Sequence, residues 1–163
     1  MPKVKGDKDL YLLVAIGGVI GAFGRHALTL LFPPARDGWP MATFVTNLTG
    51  AFILGAVIVL ARELAPDPDL SDFTRRLRPL LVTGILGGYT TFSTYIVEAH
   101  GLAATGHVAM SAIYILGSLV AGVICVALGM VLADLIARRI RPNVSDAEIA
   151  AQAFARAETE DEA

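Results

Sequence analysis

The sequence predicts an all-α integral membrane protein with four transmembrane helices. Of its 163 residues, 55% are hydrophobic and only 17% are charged, whereas about a quarter of an ordinary soluble domain is charged. The apolar residues fall into four long segments, each near the ~20 residues that a helix needs to cross the hydrocarbon layer. The predicted spans are residues 10–32, 41–61, 79–97 and 108–137. The net charge of −2 gives no indication of a nucleic-acid partner, and none is expected.

The two ends are predicted to be cytoplasmic, with a single transmembrane domain, residues 10–141, between them. Residues 1–9 form a basic arm, and the apolar run after it is too long for a signal peptide. Residues 142–163 form an acidic tail, which is too polar to fold by itself and is predicted to be disordered. Eleven of the 13 Lys and Arg residues lie on the same side as the two ends, and only Arg25 and Arg36 lie on the other. Positive charge marks the cytoplasmic side of a cell-membrane protein.

The first two spans carry small and polar residues in helical register. Gly17 and Gly21 form a G-x-x-x-G pair, which allows close approach of another helix. Arg25 near the end of the first span must reach the interface or face water, so it is either an anchor or an anion-attracting residue in an aqueous vestibule. Thr43 and Asn47 in the second span lie four residues apart and share one helix face. They serve either as interhelical hydrogen-bonding groups or as the lining of a water-filled path.

The third span is predicted to be broken at its centre. Residues 84–95 contain three glycines and four Ser or Thr residues at the depth of the membrane midpoint. Non-helical backbone at that depth is tolerated only inside protein or beside a cavity, where freed carbonyl groups can bind a cation or another chain. The alternative is a continuous glycine-rich packing helix whose Ser and Thr bond to their own backbone. Phe92 and Tyr95 are either core residues or ring edges that contact an anion weakly.

The fourth span carries a narrow polar track. Tyr114 and Ser118 lie four residues apart, and Gly122 follows one turn later. Asp134 and Arg138 near the end of this span are interpreted as an interfacial charge pair.

The remaining ionisable residues give no signature of catalysis or metal binding. Glu98 is expected at a surface at the end of the third span, so no acid is expected at the centre of any span. No H-E-x-x-H, G-x-S-x-G or P-loop pattern occurs, and no enzymatic activity is expected. Cys125, the single cysteine, is interpreted as a small buried hydrophobe. Interfacial positions are expected for His26, His100 and His107.

Four motifs, one in each span, follow one another along the chain. They are Gly18-x-x-Gly21-Ala22-x-x-Arg25, Thr43-Phe44-x-x-Asn47-x-x-Gly50, Gly87-Gly88-x-Thr90-Thr91-Phe92-Ser93-Thr94-Tyr95 and Tyr114-x-x-x-Ser118. In this order the motifs resemble the bacterial CrcB/Fluc family of fluoride channels. The resemblance covers all four spans and leaves out only the tail.

The resemblance implies an antiparallel dimer with two pores, which passes fluoride out of the cytoplasm passively. It also implies a structural sodium ion at the dimer interface, bound by the backbone carbonyl groups of Gly87 and Thr90, and a vestibule containing Arg25. Asn47 would be an amide donor, and the aromatic pair would line the pore. The fluoride path implied in this way comprises Thr43, Asn47, Phe92, Ser93, Thr94, Tyr95, Tyr114 and Ser118.

Two features depart from the family pattern. Tyr95 stands where the family usually has a second phenylalanine, which adds a hydroxyl group to the pore lining. The strong Lys and Arg asymmetry should fix one orientation in the bilayer, so the partner is either a second copy or, as the charge bias favours, a related chain inserted the opposite way. Two other functions stay open. One is a proton-coupled antiporter of the small multidrug-resistance type, which would need a membrane carboxylate, and the other is a non-conducting assembly subunit.

Overall fold

The computed structural model describes residues 7–33, 38–64 and 77–140, and every regular element in these ranges is helical. Lys3, Lys5, Arg36 and the acidic tail at residues 142–163 lie outside the described residues. The elements are α1 (Asp7–Leu31), α2 (Met41–Leu64), the π-helical α3 (Pro79–Leu86), the single turn α4 (Gly87–Tyr89), α5 (Phe92–Ala104) and α6 (Val108–Ile140).

Four apolar segments are long enough to cross a membrane, which confirms the predicted number of spans. They are Lys8–Leu31, Met41–Glu63, Pro79–Ala104 and Val108–Arg139. The third of them combines α3, α4 and α5. Large apolar side chains cover much of the outer surface, as expected where helices face lipid rather than water.

The helices pack where glycines let their backbones meet. α1 packs along α3 and α4, and α6 packs along α2 and against α5. A Cβ atom at Gly21 would overlap the carbonyl oxygen of Ile85, and a Cβ atom at Gly129 would overlap that of Phe52. Hydrogen is therefore the only side chain that fits at these two contacts. Close approach of this kind is what the G-x-x-x-G pair predicts for the first span.

The third span is interrupted at Thr90 and Thr91. Thr90 has φ −76° and ψ 159°, and Thr91 has φ −149° and ψ 126°, so both are extended between two helical pieces. α5 then continues to Ala104, past the predicted end of the span at residue 97, and the chain turns at Gly106, whose φ is 91°. The break predicted from the glycine and hydroxyl pattern is thus present.

The predicted charge pair of Asp134 and Arg138 lies near the C-terminus of α6, beside the C-terminal part of α2. Arg138 Nε donates to Asp134 Oδ2 at 2.8 Å, and Arg62 Nη2 lies 3.8 Å from Asp134 Oδ1. The pair joins successive turns of α6, and Arg62 extends it to α2. Because both arginine side chains are largely exposed, the pairs contribute little to stability.

Candidate functional site

The Asn47 side chain on α2 forms hydrogen bonds with both the backbone amide and the backbone carbonyl group of Thr91 at the break. Its Nδ2 donates to the Thr91 carbonyl oxygen at 3.0 Å, and the Thr91 amide donates to its Oδ1 at 2.9 Å. Asn47 therefore makes the interhelical hydrogen bonds that were one of its two predicted roles. The amide nitrogen carries two hydrogens, so one donor stays available after this pairing.

The same break releases the carbonyl groups of Gly87 and Thr90, which the resemblance implies as sodium ligands, from their helical hydrogen bonds. In a continuous helix the Thr91 amide would donate to the Gly87 carbonyl, but here it donates to Asn47. The Thr94 amide would donate to the Thr90 carbonyl, but it donates to Thr91 Oγ1 at 3.2 Å. Carbonyl oxygens suit a hard cation such as sodium. Within the described ranges no cluster of three or more His, Cys, Asp or Glu residues competes as a metal site.

The break opens on the outer face of the subunit. The Phe92 side chain is 76% exposed, and Gly87, Ser93 and Thr94 are exposed beside it. A groove of about 390 Å³ runs past the break, and its wall includes Asn47, Gly50, Gly87, Thr90, Thr91 and Phe92. Polar backbone and hydroxyl groups thus reach the outer surface at membrane depth.

The predicted aromatic pair is in contact, but its two rings have different surroundings. The ring centroids of Phe92 and Tyr95 are 5.9 Å apart. Phe92 points outward, whereas Tyr95 is buried and its hydroxyl group donates to the Ile115 carbonyl oxygen on α6 at 2.6 Å. The additional hydroxyl of Tyr95 is therefore bonded to a neighbouring helix. On its other side the Tyr95 ring meets Tyr114, with centroids 5.0 Å apart.

Glu98 lies inside the third span, and the expectation of a surface position was wrong. Thr43 Oγ1 donates to its Oε1 at 2.9 Å, and the Tyr114 hydroxyl donates to its Oε2 at 3.0 Å. Thr43 and Tyr114 are both buried. Glu98 faces inward because α5 continues beyond it to Ala104, and it follows Thr94 and Tyr95 by one helical turn. That register was the signal in the sequence that pointed to an inward carboxylate.

Arg25 and Glu98 line one cavity of about 540 Å³ between α1, α2 and α5. Thr43, Thr91 and Thr94 add hydroxyl groups to its wall, so the cavity combines a cation, a carboxylate and neutral donors. Arg25 is partly buried there. His26, expected at the interface, also lies on the cavity wall.

The sequence pattern of one protein family matches residues 12–130, which include the second and third spans, most of the first and fourth, and the whole of this site. That family is described as "CrcB-like protein, Camphor Resistance (CrcB)". The chain belongs to the CrcB family.

Several named proteins are similar to the chain along most of its length. A protein named fluoride-specific ion channel FluC 3 from Streptomyces avermitilis is 40% identical over 82% of this chain, which spans 63% of that relative. Fluoride-specific ion channel FluC from Chlorobium phaeobacteroides is 40% identical over 76% of the chain and 92% of its own length. FluC from a Hydrogenobaculum species is 38% identical over 77% of the chain and 98% of its own length. These names describe channels and not enzymes.

Ser118, the other residue of the predicted polar track on α6, has a buried hydroxyl group. Its Oγ has no hydrogen-bond partner in the part of the chain that the structure describes. It lies one turn after Tyr114 on α6, as the predicted polar track requires. Since buried hydroxyl groups normally have a partner, an unpaired one marks a position where a ligand or water can bind.

Proposed function

We propose that this chain is a subunit of a fluoride-specific ion channel that releases cytoplasmic fluoride passively and so lowers its toxicity. The observation that carries the proposal is the extended break at Thr90 and Thr91 in the middle of a membrane span, in a chain 40% identical to channels named for fluoride. A break of this kind exposes hydrogen-bonding groups at a depth where lipid offers none.

The available donors suit a small, tightly hydrated anion. Fluoride entering the site must exchange water for other donors, and Asn47 retains one amide hydrogen after pairing with Thr91. Ser93 and Thr94 are exposed beside the break, and the Ser118 hydroxyl is free to donate. The electropositive edge of Phe92 adds a weak contact. Several weak contacts favour entry of the ion without trapping it.

The cavity that contains Arg25 is proposed as the vestibule of this path. The guanidinium group attracts anions, and Glu98 on the same wall limits how tightly they bind. Both oxygens of Glu98 accept hydrogen bonds, from Thr43 and Tyr114. These two hydroxyl groups therefore donate to the carboxylate, and they become donors to fluoride only when they turn away from it.

A second subunit in the opposite orientation is proposed to cover the outer face of the break. Phe92, Ser93 and Thr94 would otherwise present aromatic and polar groups to lipid. The charge asymmetry favours a related chain over a second copy as this partner, with the ends of the present chain in the cytoplasm. The released carbonyl groups of Gly87 and Thr90 would hold a sodium ion at this interface. When bound, that ion supplies a fixed positive charge between the subunits.

Glu98 is the one observation that favours a second candidate function. A carboxylate within a membrane span is what a proton-coupled antiporter of the small multidrug-resistance type requires. Its two hydrogen bonds, however, hold it inside the subunit rather than free for a substrate. Dependence of transport on a proton gradient distinguishes the two functions.

The test is fluoride efflux from liposomes that contain the purified full-length chain, followed with a fluoride electrode and with chloride efflux as the control. We expect fluoride release without chloride release and without a proton gradient. Release that requires a proton gradient would support the antiporter instead. Rapid release by this chain alone would refute the need for a related partner, whereas release only after co-expression with a related chain would support it.

A further inference from the structure

Trp39 precedes α2 and packs on Tyr114, whose hydroxyl group donates to Glu98. Its ring meets the Tyr114 ring edge-on, with centroids 5.3 Å apart and planes at 86°. It meets Phe44 in the same way, at 5.3 Å and 83°. Trp39 is only partly exposed, so it is more than the membrane-interface residue that its position next to a span suggests.

The Tyr114 ring thereby contacts two neighbours whose positions are themselves held. The Tyr95 ring centroid lies 5.0 Å away, and the Tyr95 hydroxyl group is bonded to the α6 backbone. Trp39 lies on a segment whose backbone is also held, because the Met41 amide donates to the Trp39 carbonyl oxygen at 2.8 Å. Tyr114 is fully buried in contact with both rings, and its hydroxyl group can keep its bond to Glu98 only while the ring stays in this orientation.

We propose that Trp39 is a positioning residue of the fluoride path, which acts through Tyr114 by holding its hydroxyl group on Glu98. Without the indole, space opens beside Tyr114 and the ring gains a second orientation. The hydroxyl then leaves the carboxylate and changes the set of donors that line the vestibule. This inference rests on the proposed function, since the readout of the Tyr114 orientation is fluoride movement.

The test compares Trp39→Leu and Trp39→Phe in the full-length protein by fluoride efflux from liposomes. Loss of one edge-to-face ring contact corresponds to roughly a two- to tenfold change in the equilibrium between two orientations of the Tyr114 ring. We expect Trp39→Leu to slow fluoride efflux by this factor. Trp39→Phe keeps a ring edge and should restore most of the rate. Tyr11→Leu is the matched control, because this aromatic side chain on α1 is 73% exposed, and we expect its rate to equal that of the unmodified protein.

A second measurement does not depend on transport. Trp39 is the only tryptophan in the chain, so all indole fluorescence reports on this position. In detergent, Tyr114→Leu should move the emission maximum to longer wavelength, because the contact that shields the indole is lost. An unchanged emission maximum would refute the contact.

The outcomes separate this inference from the proposed function. If the unmodified protein releases no fluoride, the proposed function fails and the role of Trp39 fails with it. If the unmodified protein releases fluoride but Trp39→Leu and Trp39→Phe are equally slow or equally fast, only the positioning role is overturned. A loss as large for Tyr11→Leu as for Trp39→Leu would also overturn it, since both residues would then act as general membrane anchors.

Discussion

Replacement of Asn47 by leucine should destabilise the break in the third span. The substitution removes both hydrogen bonds to Thr91 and leaves its amide and carbonyl without their partner. Interhelical hydrogen bonds in membranes average about 0.6 kcal/mol each, so their loss alone gives roughly 1 kcal/mol. Each unsatisfied backbone group adds about 1–3 kcal/mol where water cannot replace the lost partner. Because the groove beside the break is large enough to admit water to these groups, we expect a total of about 2–4 kcal/mol.

The assay is thermal unfolding of the purified protein in detergent. A loss of this size lowers the melting temperature by about 5–15 °C for a chain of this length. Thr46→Val is the matched control, because Thr46 is the preceding residue and is more deeply buried than Asn47, but its hydroxyl group donates only to Ala42 in its own helix. A decrease for Asn47→Leu no larger than that for Thr46→Val would refute the reasoning.

Three further predictions concern the other contacts. Tyr95→Phe should lower the free energy of unfolding by about 1 kcal/mol, because the hydroxyl group loses its bond to α6. The preference for fluoride over chloride in liposome efflux should stay, and a lost preference would mean that the hydroxyl group contacts the ion. Gly129→Ala should destabilise by about 1–3 kcal/mol in thermal unfolding by forcing the helix away from Phe52, whereas Gly117→Ala, which faces open space, should cost nothing. Ser118→Ala should slow fluoride efflux without lowering the melting temperature, because its buried hydroxyl lacks a partner; unchanged efflux would remove Ser118 from the path.

The part of the site that could be predicted from sequence follows from helical periodicity and from the cost of polar groups in lipid. Residues four apart share a face, which placed Tyr114 above Ser118 and Thr43 above Asn47. Polar groups and glycines at membrane depth predicted an interruption, and the structure has it at Thr90 and Thr91.

Glu98 was misplaced because the end of a membrane helix cannot be located from composition alone. Hydropathy falls gradually near His100, while the backbone of α5 continues to Ala104. The direction of the Tyr95 hydroxyl and the packing of Trp39 on Tyr114 were also beyond prediction. Each depends on a contact between residues far apart in the chain.

The four spans, the place of the break and the family could be predicted from the sequence, because they depend on local composition, on spacing along one helix and on motif order. The pairing of polar groups became clear only from the packed helices. Their packing directed the Thr91 amide to Asn47 and so released the Gly87 carbonyl, and it turned Glu98 inward onto two hydroxyl groups. The physical reason is that a hydrogen bond depends on atoms coming within about 3 Å, and helix packing alone brings residues of different spans that close.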